Sequence, residues 1–244
     1  MTDEDLRALE RQRDAQPGDV GLARRAALLA SRLGARDEAA ACWQEVLRRS
    51  PRDVEAEQRL RTLGCELLYR STVLGIERFE CHRVGQILAR TPALPSLFVG
   101  ERAVTCEQFY RFLDAHPRVE DRGWIREVGD SPYRFDEGSV SLRGTRSSDP
   151  VRHATWEGAT AYARWASGRL LAPEEWTKLL VLRAYGFELL DAEWSSATRS
   201  NERGGDDRGV MSPSGLRWVR ARARYEGPGF RYARESWFAA TLPA

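Results

Sequence analysis

Apolar residues recur at helical spacing through the first part of the chain, up to about residue 68. The first stripe consists of Leu22, Ala26, Leu29, Ala30 and Leu33, and the second of Ala39, Ala40, Trp43, Val46 and Leu47. The segment 34–36 separates the two stripes, and Pro51 follows the second. Because positions i, i+3, i+4 and i+7 share one face of an α-helix, the pattern predicts a helical hairpin that ends before Pro51. Flanking helices are predicted over residues 3–15 and 53–68.

From about Leu97 onwards the pattern changes, and short apolar runs alternate with Trp, Gly and Arg. Three short helices are predicted, after Thr105, after Thr155 and from Pro173, and Gln108 is placed to complete a capping box with Thr105. The intervening segment 69–96 mixes short apolar runs with prolines and predicts a linker with a strand. Residues 201–215 are rich in glycine and predict a flexible loop, of the kind that displays binding residues.

Arginine and alanine alternate along residues 216–225. A period of two predicts a strand with arginines on one face and small residues on the other. Aligned guanidinium groups could bind carboxylates or phosphates bidentately, and the alternative is a solvated strand face balanced by nearby acidic residues. The candidate partner-binding residues of this segment are Arg217, Trp218, Arg220, Arg222 and Arg224.

Composition and charge narrow the function classes. The 244 residues include 38 basic and 36 acidic side chains, for a net charge of +2, and every basic residue except Lys178 is an arginine. Near-neutral charge argues against nucleic-acid binding, which needs an uncompensated basic surface. No apolar run is long enough to cross a bilayer, and the acidic amino terminus lacks a secretory signal, so we expect a cytoplasmic protein.

The reactive side chains are few. Cys42, Cys65, Cys81 and Cys106 form no C-x-x-C pair, which predicts reduced, buried thiols and neither a zinc site nor a disulfide framework. His82, His116 and His153 show no H-x-x-x-H spacing. We therefore expect no metal and no cofactor.

The helical hairpin resembles a tetratricopeptide repeat. Gly34, Ala39, Trp43 and Pro51 match the small–small–aromatic–proline spacing of that repeat, with Val20 as its first position. The alternative is a plain helical bundle. If the repeat interpretation holds, the first helix lines a groove for a peptide or a partner helix, and the residues that project into the groove are Arg24, Leu28, Ser31 and Arg32. A solvated helix face is the alternative for these arginines.

Six landmarks follow one another between residues 97 and 235. The first comprises Ala103-Val104-Thr105, Gln108-Phe109 and Phe112-Leu113, and the second Pro150-Val151, Trp156, Ala159, Tyr162 and Trp165. The others are RLLAPEEW at 169–176, DAEW at 191–194, RGG at 203–205 and GFR at 229–231. In this order they resemble the formylglycine-generating enzyme, or sulfatase-modifying factor, family.

The resemblance implies an irregular, loop-rich α+β fold of the C-type-lectin-like kind. It also implies structural roles, with Arg169 and Glu175 as a buried or half-buried ionic pair and Arg231 in a similar fixed position. Core packing is expected for Trp156, Trp165, Trp176 and Trp194. The fold class is thus α+β, with a tetratricopeptide-like helical domain over 1–68, a linker over 69–96 and a degenerate formylglycine-generating-enzyme-like domain over 97–244.

The resembled enzymes oxidise a substrate cysteine with a copper ion held by two cysteines, since thiolates suit a soft cuprous ion. Here Tyr232 follows the GFR landmark, Ala163 replaces the cysteine of the second landmark, and no cysteine follows Cys106. Other members of the wider family bind iron through histidines, and that pattern is missing too. The stretch between Trp176 and Glu193 is also shorter than the family's substrate loop.

Two hypotheses follow for the function. The first is a non-catalytic binding or adaptor protein that holds a protein partner within a larger bacterial assembly and binds neither nucleic acid nor a cofactor. The second is an enzyme of unknown reaction that uses a cleft near Arg217, Trp218 and Arg231.

Overall fold

The structure is a computed structural model. It describes residues 2–116, 123–125, 132–136, 139–143, 147–185, 187, 189–190, 192–200, 206–220 and 228–235. The chain divides into two units. The first reaches Gln86, and the second extends from Ile87 to Glu235.

Four helices open the first unit: α1 (Asp3–Ala15), α2 (Val20–Leu33), α3 (Arg36–Arg49) and α4 (Val54–Thr62). The Asp19 carboxylate caps α2 by accepting from the Leu22 amide at 3.0 Å, and Asp53 caps α4 in the same way. Such caps satisfy amides that have no partner inside the helix. Gly34 ends α2 with a φ of 76°, a conformation that glycine adopts without strain. The helical hairpin predicted on either side of Gly34 is confirmed.

Small side chains fill the interface of α2 and α3. The fully buried residues here are Ala23, Ala26, Ala27, Ala30, Ala39, Ala40 and Trp43. Alanines let the two helix backbones approach closely, and Trp43 fills the remaining space. The sequence pattern predicted most of these positions.

Two strands, β1 (Leu67–Val73) and β2 (Ile76–Cys81), complete the first unit as an antiparallel hairpin. The buried side chain of Gln44 on α3 binds β1 at two points, because its amide donates to the Leu67 carbonyl and its oxygen accepts from the Tyr69 amide. The prediction that the last helix reaches residue 68 is wrong, since α4 ends at Thr62. Gly64, with a φ of 75°, turns the chain into β1.

The second unit begins with β3 (Gln86–Thr91), β4 (Leu94–Gly100) and α5 (Cys106–Asp114). A hairpin of β5 (Tyr133–Asp136) and β6 (Ser139–Leu142) precedes α6 (Trp156–Trp165), β7 (Arg169–Leu170), α7 (Pro173–Leu180) and a 3-10 helix over Val181–Tyr185. The remaining strands are β8 (Glu193–Ser200), β9 (Asp206–Ser212), β10 (Gly215–Arg220) and β11 (Tyr232–Arg234).

Antiparallel pairing joins β3 to β4, β4 to β11 and β11 to β7. A second antiparallel sheet has the order β10-β9-β8. Helices followed by antiparallel sheets confirm the α+β class.

An aromatic cluster forms the core between α5, α6 and the chain before β11. Phe109, Phe112, Tyr162 and Phe230 are fully buried, and the Tyr162 and Phe230 ring centroids lie 5.4 Å apart at a steep angle. Edge-to-face contacts of this kind suit the charge distribution of aromatic rings. Trp176 and Trp194 are buried as predicted, whereas Trp156 and Trp165 are only half-buried.

Two segments differ from their predictions. The segment 69–96, expected to be a linker with a strand, contains residues of four strands, β1 to β4. The segment 201–215, expected to be a flexible loop, forms β9 from Asp206 and lies at the centre of a sheet; residues 201–205 lie outside the described residues. Gly209 is needed there because a Cβ atom would lie 2.6 Å from the Ser195 hydroxyl oxygen.

Candidate functional site

The β10-β9-β8 sheet carries the residues that the alternating arginine pattern singled out. Trp218 is paired with Gly209, and Arg217 with Val210. Since directly paired residues share a face and successive residues alternate, Trp218 and Arg217 lie on opposite faces of the sheet. The two candidates therefore cannot contact one ligand from the same side.

Arg199 of β8 covers the Trp218 face. Its guanidinium carbon lies 4.7 Å from the centroid of the Trp218 ring, and its Nη2 lies 3.3 Å from an oxygen of Asp207. The Arg199 side chain is 53% exposed, while that of Asp207 is only 11% exposed. A half-buried indole under an exposed guanidinium offers a partner both a flat apolar surface and a charge. We call Arg199, Asp207 and Trp218 the arginine–tryptophan patch.

The opposite face contains a second stack. The Arg208 guanidinium lies 4.4 Å from the Trp156 ring centroid, and it pairs with Glu157 at 3.3 Å and Asp206 at 3.4 Å. Trp156 donates from Nε1 to the Ser195 carbonyl at 2.8 Å. Because the Arg208 side chain is only 14% exposed, this stack fastens the sheet to α6.

The remaining strand candidates divide by position. Arg217 is exposed and Trp218 is half-buried. The backbone of Arg220 is paired with that of Asp207 at the end of β10. Arg222 and Arg224 lie outside the described residues. The predicted strand is therefore present as far as Arg220, and its arginine face beyond that residue stays a prediction.

Of the helical candidates, Arg24 already has partners within the first unit. Its guanidinium bonds to Asp53 and to Glu55, each at 2.6 Å, and so connects α2 to the beginning of α4. Leu28 is half-buried and Arg32 is exposed. Of these three residues only Arg32 is exposed, and a peptide at the predicted groove would have to compete for Arg24.

Arg231 and Glu193 form a buried ion pair. Arg231 donates from Nε and Nη2 to the two Glu193 oxygens, both at 2.8 Å, and from Nη1 to the Gly100 carbonyl. The Trp176 indole also donates to Glu193, at 3.1 Å. The fixed role predicted for Arg231 is confirmed. With 1% of its surface exposed, Arg231 is not available to line a cleft with Arg217 and Trp218.

A half-buried ionic pair holds the start of α7. Arg169 donates from Nη1 and Nη2 to the two Glu175 oxygens, both at 2.7 Å, as predicted. Hydrogen bonds from Arg169 lower the pKa of Glu175, and burial only partly opposes them. Arg169 also reaches Glu235 at 3.1 Å.

Two cysteines of the family's landmarks are missing here. Ala163 and Tyr232 stand where the resembled enzymes have cysteine, and both are fully buried. Neither offers a thiolate, which is the donor that cuprous copper prefers. Cys106, the only cysteine after residue 87, is itself buried, with its sulfur 3.8 Å from the Pro150 carbonyl oxygen.

Two of the three histidines contact main-chain carbonyls. A ring nitrogen of His82 lies 3.1 Å from the Cys65 carbonyl oxygen, and one of His116 lies 2.6 Å from that of Phe112. In the parts of the chain that the structure describes, no three His, Cys, Asp or Glu side chains cluster as metal ligands would.

Comparison with known proteins identifies the family. Residues 44–208 match the sulfatase-modifying factor enzyme 1-like domain. The chain belongs to this family. The match covers α4 and elements of both units, from the second half of α3 to the middle of β9, and it agrees with the resemblance of the sequence landmarks.

The relatives of this chain are named either formylglycine-generating enzyme or serine/threonine-protein kinase. The formylglycine-generating enzyme of Streptomyces coelicolor is 43% identical over 119 residues, 38% of this chain and 38% of the enzyme. The mouse formylglycine-generating enzyme is 38% identical over 61 residues, 25% of this chain and 16% of the enzyme. Serine/threonine-protein kinase Pkn1 of Chlamydia trachomatis is 29% identical over 126 residues, 50% of this chain and 20% of the kinase. The chain thus spans well under half the length of these relatives.

Sequence reasoning missed Arg199, the member of the arginine–tryptophan patch that comes from β8, and considered Asp207 of β9 only as one of the acidic residues that could balance the strand arginines. Pairing between strands brings them together, and no spacing along the chain indicates it. Among the described helices, none has the length and apolar character needed to cross a bilayer.

Proposed function

We propose that this chain is a non-catalytic protein-binding or adaptor protein whose sulfatase-modifying factor domain serves as a recognition scaffold. The observation that carries the proposal is the placement of the cysteines: none follows Cys106, which is itself buried, whereas the resembled enzymes hold copper through a pair of cysteines near the carboxyl end. Ala163 and Tyr232, which are fully buried where the family's landmarks have cysteine, supply no soft ligand either. The copper-dependent oxidation of a substrate cysteine is therefore lost.

The arginine–tryptophan patch supplies the recognition surface in this proposal. Arginine and tryptophan are among the residues that contribute most to protein interfaces, because each combines a large contact area with a polar group. Trp218 is half-buried and Arg199 lies over it, so the pair is partly ordered before a partner arrives. An ordered surface loses less side-chain entropy on binding.

The finer features of the architecture support the proposal as well. The helical hairpin of α2 and α3, with its alanine interface and Gly34 turn, suits a tetratricopeptide-like segment, which binds peptides rather than transforming them. The short strands and intervening loops of the second unit suit a C-type-lectin-like fold, in which loops on a rigid base bind ligands. A sequence similar to this domain occurs in a protein named a kinase and in proteins named formylglycine-generating enzymes, so the domain is not tied to one activity.

The alternative, an enzyme with a cleft near Arg217, Trp218 and Arg231, has less support. The Arg231 guanidinium donates to Glu193 and to main-chain carbonyls in the core. Arg217 and Trp218 lie on opposite faces of the β10-β9-β8 sheet. A cytoplasmic location, a protein partner within a larger bacterial assembly and the absence of nucleic-acid binding remain parts of the proposal.

Two measurements on the purified chain test whether it lacks copper binding and the oxidation of a substrate cysteine. The chain is incubated with cuprous ion and dialysed, and its copper content is measured; we expect no stoichiometric copper. A peptide with one reduced cysteine is then incubated with the chain and copper in air, and its mass is followed. Stoichiometric copper together with conversion of the cysteine to an aldehyde would overturn the proposal.

Partner binding is tested by co-purification from the cells that express the chain. Trp218→Ala and Arg199→Glu remove the indole and reverse the charge of the arginine–tryptophan patch, and Arg32→Glu tests the predicted helical groove. Arg59→Glu, on the exposed side of α4, is the matched control. We expect recovery of a specific partner to fall at least about tenfold with the patch variants, which corresponds to one interface hot spot. Equal recovery with all four variants would remove both surfaces from the proposal.

A further inference from the structure

The first unit contains a cleft that the family assignment does not explain. It has a volume of about 320 Å³ and is lined by Arg13, Asp14, Pro17, Ala41, Glu45, Arg48 and Arg49. We call it the arginine cleft. Its arginines come from α1 and α3, and α1 lies before the residues that match the sulfatase-modifying factor domain.

Two of the three guanidinium groups share one carboxylate. Arg48 donates from Nη1 to Glu45 at 2.9 Å and from Nε to Glu77 at 2.7 Å, and Arg49 donates from Nη2 to Glu45. Burial raises the pKa of Glu45, but the hydrogen bonds from Arg48 and Arg49 outweigh it, so the pKa lies below its ordinary value. Glu45 is therefore an ionised internal counter-ion that orients both arginines.

Donor groups remain after these bonds are made. A guanidinium has five N–H donors. Among the described residues, the Nη2 of Arg48 and the Nε and Nη1 of Arg49 meet no acceptor, although each side chain is only 26% exposed. Partly buried arginine donors without acceptors favour an anion that brings its own oxygens.

Arg13 faces the cleft from α1. It pairs with Asp14 at 3.0 Å, and its Nη1 lies 3.2 Å from the buried Cys42 sulfur. Burial raises the pKa of the Cys42 thiol, so Cys42 is neutral and adds no charge beside Arg13. The lining carries three arginines and two carboxylates, and Glu77 pairs with Arg48 from outside it. The remaining N–H donors, and not a net charge, therefore favour an anion.

We propose that the arginine cleft binds a phosphomonoester. Guanidinium groups that approach from two helices suit a tetrahedral oxyanion with several acceptor oxygens better than a planar carboxylate with two. The volume falls at the lower end of small-ligand sites and leaves room for an organic part beside Pro17 and Ala41. The phosphate group is the recognised chemistry, whether it belongs to a free small molecule or to a phosphorylated side chain.

Calorimetric titration of the full chain tests the site and separates the two sources. The probes are phosphoserine and a short peptide that contains phosphoserine. The controls are their unphosphorylated forms, serine and the same peptide with serine. We expect a dissociation constant of about 1 mM or tighter for a phosphorylated probe, the affinity of a few charge-assisted hydrogen bonds. Tighter binding of the peptide identifies a phosphorylated segment as the source, and tighter binding of phosphoserine identifies a small molecule. Equal heats with and without phosphate overturn the proposal.

Three variants locate the site. Arg49→Gln removes a charge from the cleft and should weaken binding about tenfold or more. Arg59→Gln is the matched control, because Arg59 also pairs with a glutamate four residues earlier but lies on α4 outside the cleft. We expect it to bind like the parent.

Glu45→Gln should change the affinity for the phosphorylated probe in the opposite direction. It removes the internal counter-ion and should tighten binding about threefold to tenfold, since Arg48 and Arg49 then lack a competing carboxylate. Because a misfolded variant would not gain affinity, this result distinguishes a binding site from a structural network. Weaker binding by Glu45→Gln, or equal losses in Arg49→Gln and Arg59→Gln, would overturn the site. Such a failure leaves the proposed function unaffected, because the arginine–tryptophan patch lies in the second unit.

Discussion

Arg231 and Arg199 lie in the same unit and use the same functional group in opposite ways. Arg231 has 1% of its side chain exposed and bonds to both oxygens of a fully buried glutamate. Arg199 is 53% exposed, lies over an indole ring and contacts one aspartate. Environment, and not residue type, separates an arginine that holds the fold from one that is available to a partner. The high arginine content of the sequence therefore indicates neither a structural role nor a binding role by itself.

The largest expected effect follows from breaking the buried pair. Arg231→Met leaves the Glu193 carboxylate in the core without its partner, and an uncompensated buried charge costs about 3–5 kcal/mol of unfolding free energy. We expect the midpoint of urea denaturation to fall accordingly. Far-ultraviolet circular dichroism of the purified variant during the titration measures it.

A double variant controls for lost packing. Glu193→Gln combined with Arg231→Met removes both charges but keeps an acceptor for the Trp176 indole. We expect this variant to be about 1–2 kcal/mol more stable than Arg231→Met alone, because no charge is left buried. If the double variant is no more stable, the loss comes from packing and the pair is not the cause.

The structural arginines were predicted better than the accessible ones. Arg169, Glu175 and Arg231 occupy family landmarks, so the resemblance indicated fixed roles that the contacts confirm. Arg199 occupies no landmark, and it meets Trp218 only because β8 and β10 flank β9. Contacts across a sheet depend on register, which local spacing does not encode.

Strands were missed where their residues are typical of loops. Pro92 lies in the two-residue turn between Thr91 and Leu94, which are paired, and Pro95 is an exposed residue of β4. Gly209 indicated a flexible loop but is a close-packed position in β9. Proline and glycine mark turns on average, and tertiary packing overrides that preference at strand ends and close approaches. Helices were predicted well because their periodicity is local.

The Arg169–Glu175 pair is intermediate in exposure between Arg231 and Arg199. Its side chains are 41% exposed for Arg169 and 19% exposed for Glu175. Glu175→Gln should cost about 1 kcal/mol at neutral pH, the value of a well-formed but partly exposed pair. Because the folded pKa of Glu175 lies below its unfolded value, its stabilising contribution is present above the unfolded pKa. It is lost as the pH falls through the folded pKa, so parent and variant should converge in acid.

Urea denaturation of both proteins from neutral to acidic pH measures this convergence. Glu107→Gln is the control, because Glu107 forms an exposed pair with Arg111 at 3.1 Å on the surface of α5. We expect it to change the unfolding free energy by about 0.3–0.5 kcal/mol. A difference for Glu175→Gln that persists unchanged in acid would show that the charge is not what stabilises the start of α7, since glutamine keeps an acceptor oxygen for the Ala172 amide.

Of the three arginines compared, Arg199 in the arginine–tryptophan patch is expected to contribute least to stability. Arg199→Met keeps an unbranched side chain over Trp218 but removes the cation, which should cost about 0.5–1 kcal/mol because the stack is exposed. Urea denaturation beside Arg231→Met gives the comparison directly. A loss of more than about 2 kcal/mol would place Arg199 with the arginines that hold the fold, since exposed stacks do not contribute that much. A small loss of stability together with weaker recovery of a partner would separate the two arginines by function, because only a surface residue can affect binding without affecting unfolding.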